Sequence, residues 1–182
     1  YGQTYGTLPT PTRDGYDFDG WYDTASTSGG NIISDNSKVL SANYTTNSNG
    51  ERTVTAYARW TPTNYSITYN MNGGTNSSSN PRSYNYESNS ITLNEPTRSG
   101  YNFVGWSGYN SDTCQKKSTY SGHTDKCMSV VIKNKSHGDR TYTANWEPAI
   151  YEISMNGSLQ YADTLKNCFS KIGSNTATIR LI

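Results

Sequence analysis

The sequence predicts a mainly β or α+β protein made of small tandem modules, and three observations support this prediction. An eleven-residue block at 11–21, Pro-Thr-Arg-Asp-Gly-Tyr-Asp-Phe-Asp-Gly-Trp, returns at 96–106 as Pro-Thr-Arg-Ser-Gly-Tyr-Asn-Phe-Val-Gly-Trp. A second echo follows each copy, as Thr-Ala-Tyr-Ala-Arg-Trp-Thr-Pro at 55–62 and Thr-Ala-Asn-Trp-Glu-Pro at 143–148. Several stretches alternate apolar and polar residues, which is the period of a half-buried strand. Duplication at a fixed spacing indicates an array of modules.

The composition fits small modules with aromatic cores. Only 32% of the 182 residues are hydrophobic, and the mean hydropathy of −0.83 would also suit a disordered chain. A net charge of +1 and an aromatic content of 13% argue against disorder. A few large rings, each burying about 150–250 Å², can form the core of a small β module.

Charge and hydropathy also argue against nucleic-acid binding and against a membrane-spanning segment. No basic stripe runs along the chain, so we expect no nucleic-acid binding. No run of about 18 apolar residues is present, so we expect no membrane span. Tyr1 is not a natural start residue, and we interpret the chain as an excised piece of a longer protein. The abundance of Ser, Thr, Asn and Tyr suggests an extracellular location.

The second repeat module, at 63–148, is expected to be complete. Residues 65–71 alternate apolar and polar and predict an opening strand, and Asn72-Gly73-Gly74 predicts a turn. The Gly105-Trp106 step predicts a bulge or a close backbone approach that turns the indole inward. A closing strand is expected at 142–146, before Pro148.

The first repeat module, at 1–62, lacks a counterpart of the opening strand. Its closing strand is expected to place Val54, Ala56, Ala58 and Trp60 on one face. The chain starts too late to include the opening strand, so we expect an incomplete sheet or a borrowed strand. An exposed edge of this kind favours pairing with another chain.

The remaining residues, 149–182, are expected to form a short β-α-β tail. Residues 151–157 match 65–73 in register, which predicts a strand. A helix is predicted from apolar residues at helical spacing, ending at Gly173: Ala162, Leu165, Cys168, Phe169 and Ile172. Residues 176–182 alternate like a strand. The tail is interpreted as the start of a different domain or as a truncated element.

These motifs resemble the Listeria–Bacteroides repeat, which is similar to the B repeat of internalin-type surface proteins. The resemblance rests on Tyr-x-Ile-x-Tyr-Asn-x-Asn-Gly-Gly, Pro-Thr-Arg-x-Gly-Tyr-x-Phe-x-Gly-Trp and Thr-Ala-x-Trp, and it extends to about Pro148. It implies tandem β-grasp-like modules on secreted or wall-attached bacterial proteins, with roles in adhesion, host interaction or spacing. It implies no catalytic residues. The signature positions, read as fold determinants, are Gly15, Tyr16, Phe18, Gly20, Trp21, Trp60, Gly100, Tyr101, Phe103, Gly105, Trp106 and Trp146.

The cysteines allow three interpretations. Cys114 and Cys127 flank a polar stretch, and a disulfide between them would close a loop of about 14 residues, worth about 3 kcal/mol. A metal site of these two residues with His123 would lack a fourth ligand, and two unrelated thiols are the third interpretation. Cys168 is expected to be a small buried core residue. His123 and His137 lie in polar stretches and are expected to be exposed.

Other candidate residues have structural interpretations that compete with functional ones. The acidic cluster of Asp14, Asp17, Asp19 and Asp23 does not match a calcium loop and is expected to be a solvated strand face. Arg13 and Arg98 are expected to bond a carbonyl or a carboxylate. The four Trp residues are expected to pack in cores rather than to form a sugar-stacking platform. The Tyr residues that do not recur are freer to face a partner: Tyr84, Tyr86, Tyr109 and Tyr120.

The leading hypothesis is therefore a non-catalytic module of a bacterial cell-surface or secreted protein, with a host protein, a cell-surface protein or a glycan as partner and with no cofactor. One alternative is a carbohydrate-binding module that uses exposed Tyr residues. Another is an accessory region of a surface enzyme whose catalytic domain lies outside these residues.

Overall fold

A computed structural model describes residues 2–39, 44–109 and 112–182. It is mainly β, as the alternating patterns predict, and contains one short helix among the described residues. The chain divides into two compact units, unit 1 at Tyr1–Thr63 and unit 2 at Asn64–Ile182. No helix in the described ranges is long and apolar enough to cross a lipid bilayer.

Unit 1 contains a three-stranded antiparallel sheet and a separate hairpin. The strands are β1 (Tyr16–Tyr22), β2 (Ile32–Ile33), β3 (Tyr44–Thr46), β4 (Arg52–Val54) and β5 (Tyr57–Pro62). The sheet has the order β2-β1-β5, and β3 pairs with β4. The prediction of one continuous closing strand from Val54 to Trp60 is wrong, because Val54 ends the hairpin and β5 begins only at Tyr57.

Unit 2 contains a larger sheet followed by a small sheet with the helix. The elements are β6 (Asn64–Asn70), β7 (Ser83–Asn85), β8 (Ile91–Thr92), β9 (Tyr101–Ser107), β10 (Thr113–Lys117), β11 (Cys127–Ile132), β12 (Arg140–Pro148), β13 (Tyr151–Met155), β14 (Ser158–Ala162), α1 (Leu165–Ile172) and β15 (Thr178–Leu181). The larger sheet has the order β10-β11-β9-β12-β6-β7, and β8 pairs with β11. β6 is the first strand of this sheet along the chain and β12 is the last, and the two pair with each other in parallel orientation.

The opening strand of the second repeat has the predicted two faces. Tyr65, Ile67 and Tyr69 are buried or half-buried, and the residues between them are exposed. They join a core whose largest fully buried side chains include Trp106 and Tyr142. Burial raises the pKa of Tyr69 to about 12, which agrees with a phenol that is withdrawn from water.

The duplicated block produces the same backbone irregularity in both units. The pairing of β1 with β5 shifts register between Phe18 and Gly20, and the pairing of β9 with β12 shifts at the equivalent place, next to Phe103. The glycine after each bulge has a positive φ, +135° at Gly20 and +122° at Gly105. The bulge predicted at the Gly105-Trp106 step is therefore present.

We expect Gly105→Ala to lower the free energy of unfolding of unit 2 by about 2–4 kcal/mol. The new Cβ would lie 2.8 Å from Cβ of Lys126 and 3.0 Å from the amide nitrogen of Cys127, at a φ that side chains rarely adopt. Gly122→Ala is the matched control, because Gly122 also has a positive φ of +76° but no atom within 4 Å. Urea unfolding should show a loss of only about 1–2 kcal/mol for the control. Equal losses would mean that the close approach at Gly105 is unimportant.

The C-terminal tail contains one more strand than the sequence predicts. Residue Ala162 belongs to β14, which pairs with β13, whereas the helix was expected to include it. Thr164 caps α1 by accepting a hydrogen bond from the amide of Asn167, and Gly173 ends the helix as predicted. Cys168 is buried as predicted and packs with Ile153, Ala162 and Ile172.

The apolar face of α1 is narrower than its sequence pattern suggests. Leu165 and Phe169 have exposed fractions of 49% and 63%, although they share the predicted face with Cys168 and Ile172. The helix has only eight residues and contacts only β13 and β14 extensively, so one pair of side chains at i and i+4 covers the contact. The periodicity therefore predicted the helix but not its buried width.

Candidate functional site

The repeated rings form the same cluster in each unit. In unit 1 the ring of Phe18 lies 5.6 Å from that of Trp21 and 5.3 Å from that of Trp60. In unit 2 the corresponding centroid distances are 5.2 Å from Phe103 to Trp106 and 5.5 Å from Phe103 to Trp146. Edge-to-face and tilted pairs at these distances add about 0.5–1.5 kcal/mol each beyond the burial of area. The rings of the signature thus contact one another and stabilise each sheet.

The repeated arginines stack on the repeated tyrosines. The guanidinium carbon of Arg13 lies 3.6 Å from the ring centroid of Tyr16, and that of Arg98 lies 3.7 Å from the ring of Tyr101. We expected a bond to a carbonyl or carboxylate, and the structure shows a cation–π contact instead. The reason is local, because Gly15 and Gly100 turn the chain with φ near +75° and bring each Tyr back under its Arg.

The two copies differ in burial. Trp106 is fully buried and its indole Nε1 has no hydrogen-bond partner, whereas Trp21 is half-buried and its Nε1 donates to the carbonyl of Pro9 over 2.8 Å. The larger sheet of unit 2 covers Trp106, and unit 1 has fewer strands in its described residues. The two copies of the block, which differ at three of eleven positions, therefore occupy different environments.

In unit 2 the opening strand and the turn after it cap the closing Trp. The indole Nε1 of Trp146 donates to the carbonyl of Met71 over 2.9 Å, and Nδ2 of Asn72 donates to the carbonyl of Ala144 over 3.0 Å. Gly74 lies against the indole, where a Cβ would come within 2.3 Å of Cζ2 of Trp146. The turn Met-Asn-Gly-Gly at 71–74 therefore fits closely against the indole of Trp146 and the backbone of β12.

A groove of about 610 Å³ lies in unit 2, between the larger sheet and the C-terminal tail. The tail is held there in part by a 3.2 Å hydrogen bond between the hydroxyls of Ser99 and Tyr161. The side chains lining the groove are both aromatic and polar, and they include Arg98, Tyr101, Tyr120, Trp146, Gln160 and Tyr161. Asn102 also lines it, and its buried amide nitrogen and oxygen have no partner. Rings beside amides and hydroxyls are groups that can stack on and hydrogen-bond a sugar.

The four Tyr residues that were expected to face a partner differ in burial and position. Tyr84 contradicts the prediction, because only 5% of it is exposed and its hydroxyl donates to the carbonyl of Gly138 over 2.6 Å. It packs on Tyr65 across the β6–β7 pair, a contact that the local sequence does not indicate. Tyr86 and Tyr109 are half-buried. Tyr120 lines the groove, and burial raises its pKa.

Cys114 and Cys127 form a disulfide with their Cα atoms 5.7 Å apart. The bond joins β10 to β11, and Cys127 is fully buried in the core of unit 2. Since β10 is the outer strand of the sheet, the disulfide fixes this edge to its neighbour. Disulfides persist in oxidising compartments.

We expect reduction of this disulfide to lower the free energy of unfolding of unit 2 by about 3 kcal/mol. The two cysteines are 13 positions apart, and without the bond the unfolded chain gains the conformational entropy of the opened loop. Urea unfolding with and without a phosphine reductant measures the change. The double variant Cys114→Ala/Cys127→Ala is the control and should no longer respond to the reductant. A wild-type curve unchanged by complete reduction would contradict the expectation.

His123 is less exposed than we expected. Its Nε2 lies 2.5 Å from Oε1 of Glu147, and its Nδ1 is buried without a partner. No local pattern indicates this pair, because the two residues are 24 positions apart. Within the described ranges, no group of three metal-ligating side chains comes together. The disulfide occupies both sulfur ligands of the metal site that the sequence left open.

A buried ion pair was missed by the sequence analysis. Nε of Arg140 lies 3.0 Å from Oδ1 of Asp112, and the hydroxyl of Tyr142 donates to Oδ2 over 2.6 Å. Burial, and then this hydrogen bond, raise the pKa of Tyr142 above its usual value. Arg140 also donates to the carbonyls of His137 and Gly138. The group satisfies its own charges and hydrogen bonds, so it stabilises the fold.

Two matches to one family model cover well over half of the chain. The model is described as the Listeria-Bacteroides repeat domain, and it matches residues 1–58 and 65–130. Each match contains one copy of the eleven-residue block. No solved structure matches the chain.

Proposed function

This chain belongs to the Listeria-Bacteroides repeat family, and we propose that it is a non-catalytic region of a bacterial secreted or cell-surface protein. Its role is adhesion, protein interaction or the spacing of other domains. We further propose that residues 1–62 and 63–148 are two repeat modules and that 149–182 begin another element. The parallel pairing of β6 with β12, with antiparallel partners on both sides, supports a β-grasp-like plan for the second module.

The observation that carries this proposal is that the duplicated residues contact one another. In both units they form a ring cluster with centroid distances between 5.2 and 5.6 Å and an arginine stacked on a tyrosine. Because these side chains pack on one another, the duplicated residues have a structural role in each unit. The surface left around such a scaffold is available for contacts with other proteins through loops and strand edges.

Surface location is tested by protease shaving of intact cells of the source bacterium. An antibody against this chain should label unpermeabilised cells or the culture medium, and the signal on cells should disappear after brief protease treatment. A cytoplasmic enzyme, protected in the same sample, is the control. Labelling that requires permeabilised cells would contradict the proposal.

A carbohydrate-binding role is a second candidate because of the groove in unit 2. Tyr120 and the unpaired amide of Asn102 lie in its lining. A glycan array probed with the purified chain should show saturable binding that Tyr120→Ala weakens about tenfold, as expected for the loss of one stacking ring. Tyr109→Ala is the matched control, because that ring lies outside the lining. An array without hits, or equal effects of both variants, would remove this candidate.

A further inference from the structure

The groove in unit 2 is lined by two cations that no carboxylate neutralises. Arg98 lies just before β9, on the side of the larger sheet, and Lys171 lies in the last turn of α1, on the side of the tail. Neither side chain forms an ion pair with another described residue. Glu95 is the single acidic residue among the described side chains of the lining, and it is exposed. The lining therefore has an excess of positive charge.

The guanidinium of Arg98 is held in an orientation that suits a carboxylate. Its central carbon lies 3.7 Å from the ring centroid of Tyr101, and a Cβ on Gly73 would come within 3.4 Å of it. No hydrogen bond from this guanidinium reaches another described residue. A guanidinium that stacks through its face keeps the N–H groups in its plane, where they match the two oxygens of a carboxylate.

The amide of Asn102 is a second unsatisfied group in the same groove. Asn102 lines the groove and is only 4% exposed, and neither its Nδ2 nor its Oδ1 has a hydrogen-bond partner. A buried donor and acceptor without partners are costly, so each needs an explanation. Two neighbouring hydroxyls of a sugar supply one acceptor and one donor and match this amide. The counterpart in unit 1 is Asp17, which is exposed, so the duplicated block of unit 1 has no such amide.

The size and length of the groove favour a short chain of sugar rings. Its volume of about 610 Å³ lies within the range of small-ligand sites. A second depression of about 310 Å³ shares Tyr120, Met128 and Lys171 with it and adds another cation, Lys116. The recess therefore continues past the ring of Tyr120, with basic side chains along both parts.

We propose that this groove binds a linear oligosaccharide that carries carboxylates, with a uronic acid as its acidic unit. The sugar carboxylate lies against Arg98 and Lys171, neighbouring hydroxyls pair with the amide of Asn102, and Tyr120 stacks on a sugar ring. This proposal deepens the carbohydrate-binding candidate by naming the class of sugar, and it rests on that candidate.

The first test uses the whole unmodified chain and a panel of uronic-acid oligosaccharides. Each is paired with its carboxyl-reduced form, which keeps the linkages and replaces every carboxylate with a neutral hydroxymethyl group. Calorimetry should show saturable binding of an acidic member, about tenfold or more tighter than its reduced partner, as expected for hydrogen bonds to a charged group. Binding should also weaken as salt is added, because salt screens the cations. Neither result depends on how a variant folds.

Substitutions locate the ligand in the groove. Arg98→Gln should weaken binding about tenfold. Arg13→Gln is the matched control, because Arg13 stacks on Tyr16 at 3.6 Å in unit 1 and loses the same kind of ring contact. Glu95→Gln removes a negative charge from the lining and should strengthen binding about two- to fourfold.

Asn102→Leu separates recognition from stability. The change removes an amide that has no partner, so it should weaken binding about tenfold without lowering the urea midpoint. Hydrogen exchange of the unmodified chain should show new protection at 95–102 when the acidic oligosaccharide is bound, and none at the duplicated residues 11–21.

Each contrary result has a separate meaning. Equal binding of the acidic and reduced forms would overturn the inference and leave the carbohydrate-binding candidate standing, whereas no binding of any oligosaccharide would remove both. Equal losses for Arg98→Gln and Arg13→Gln would place the ligand elsewhere. Binding of a polyglutamate peptide as tightly as the acidic sugar would show that the groove recognises negative charge alone, and would also overturn the inference.

Discussion

Trp106→Ala is expected to lower the free energy of unfolding of unit 2 by about 3–5 kcal/mol. Trp106 is the largest fully buried side chain, and its ring contacts those of Phe103, Tyr69 and Tyr142. Removing it leaves a cavity that the surrounding strands cannot fill, because they are fixed by their pairing on both sides of β9. Urea unfolding followed by far-UV circular dichroism measures the loss.

Two controls separate packing from other effects of this change. Trp21→Ala removes the equivalent ring from unit 1, where it is half-buried, and should cost unit 1 less than Trp106→Ala costs unit 2. Trp106→Phe keeps most of the apolar volume and also removes an indole N–H that has no acceptor, so its cost should be clearly smaller. Equal costs for Trp21→Ala and Trp106→Ala would show that burial does not distinguish the two copies.

Asp112→Ala is expected to cost unit 2 about 3–5 kcal/mol at neutral pH. The change leaves the guanidinium of Arg140 buried without its carboxylate and the hydroxyl of Tyr142 without its acceptor. The Asp112 side chain is itself completely buried, so water cannot replace it without rearrangement of the surrounding strands. Chemical denaturation at pH 7 measures the loss.

The double variant Asp112→Ala/Arg140→Met is the decisive comparison. Removing both charges avoids an unpaired buried ion, so the double variant should be more stable than Asp112→Ala alone. Asp125→Ala is a surface control, because Asp125 pairs with Lys126 at an exposed position and its loss should cost less than about 1 kcal/mol. If the double variant is less stable than the single one, Arg140 stabilises unit 2 mainly through its bonds to the carbonyls of His137 and Gly138.

The local features of the fold were readable from the sequence because they depend on neighbouring residues. Alternation at 65–71 predicted the strand that becomes β6, and Gly173 predicted the end of α1. The Gly105-Trp106 step predicted the bulge in β9. In each case the steric limits of a short segment determine the outcome.

The errors fall where distant segments meet. Tyr84 was expected to be free and is a core residue, because β7 pairs with β6 and brings its ring onto Tyr65. The closing strand of unit 1 was expected to include Val54, which instead pairs with Tyr44. The Asp112–Arg140 pair joins residues 28 positions apart, and no periodic pattern links them.

The sequence by itself determined the family, the mainly β class and the position of the duplicated block. Turns, bulges and alternation arise from local sterics, and the residues that produce them occur twice in the sequence. Only the tertiary structure decided how the two copies differ. Trp106 is fully buried between paired strands, whereas its counterpart Trp21 is half-buried in the smaller sheet of unit 1. Burial and strand pairing are properties of the whole assembly of strands, so two similar segments acquire different surroundings.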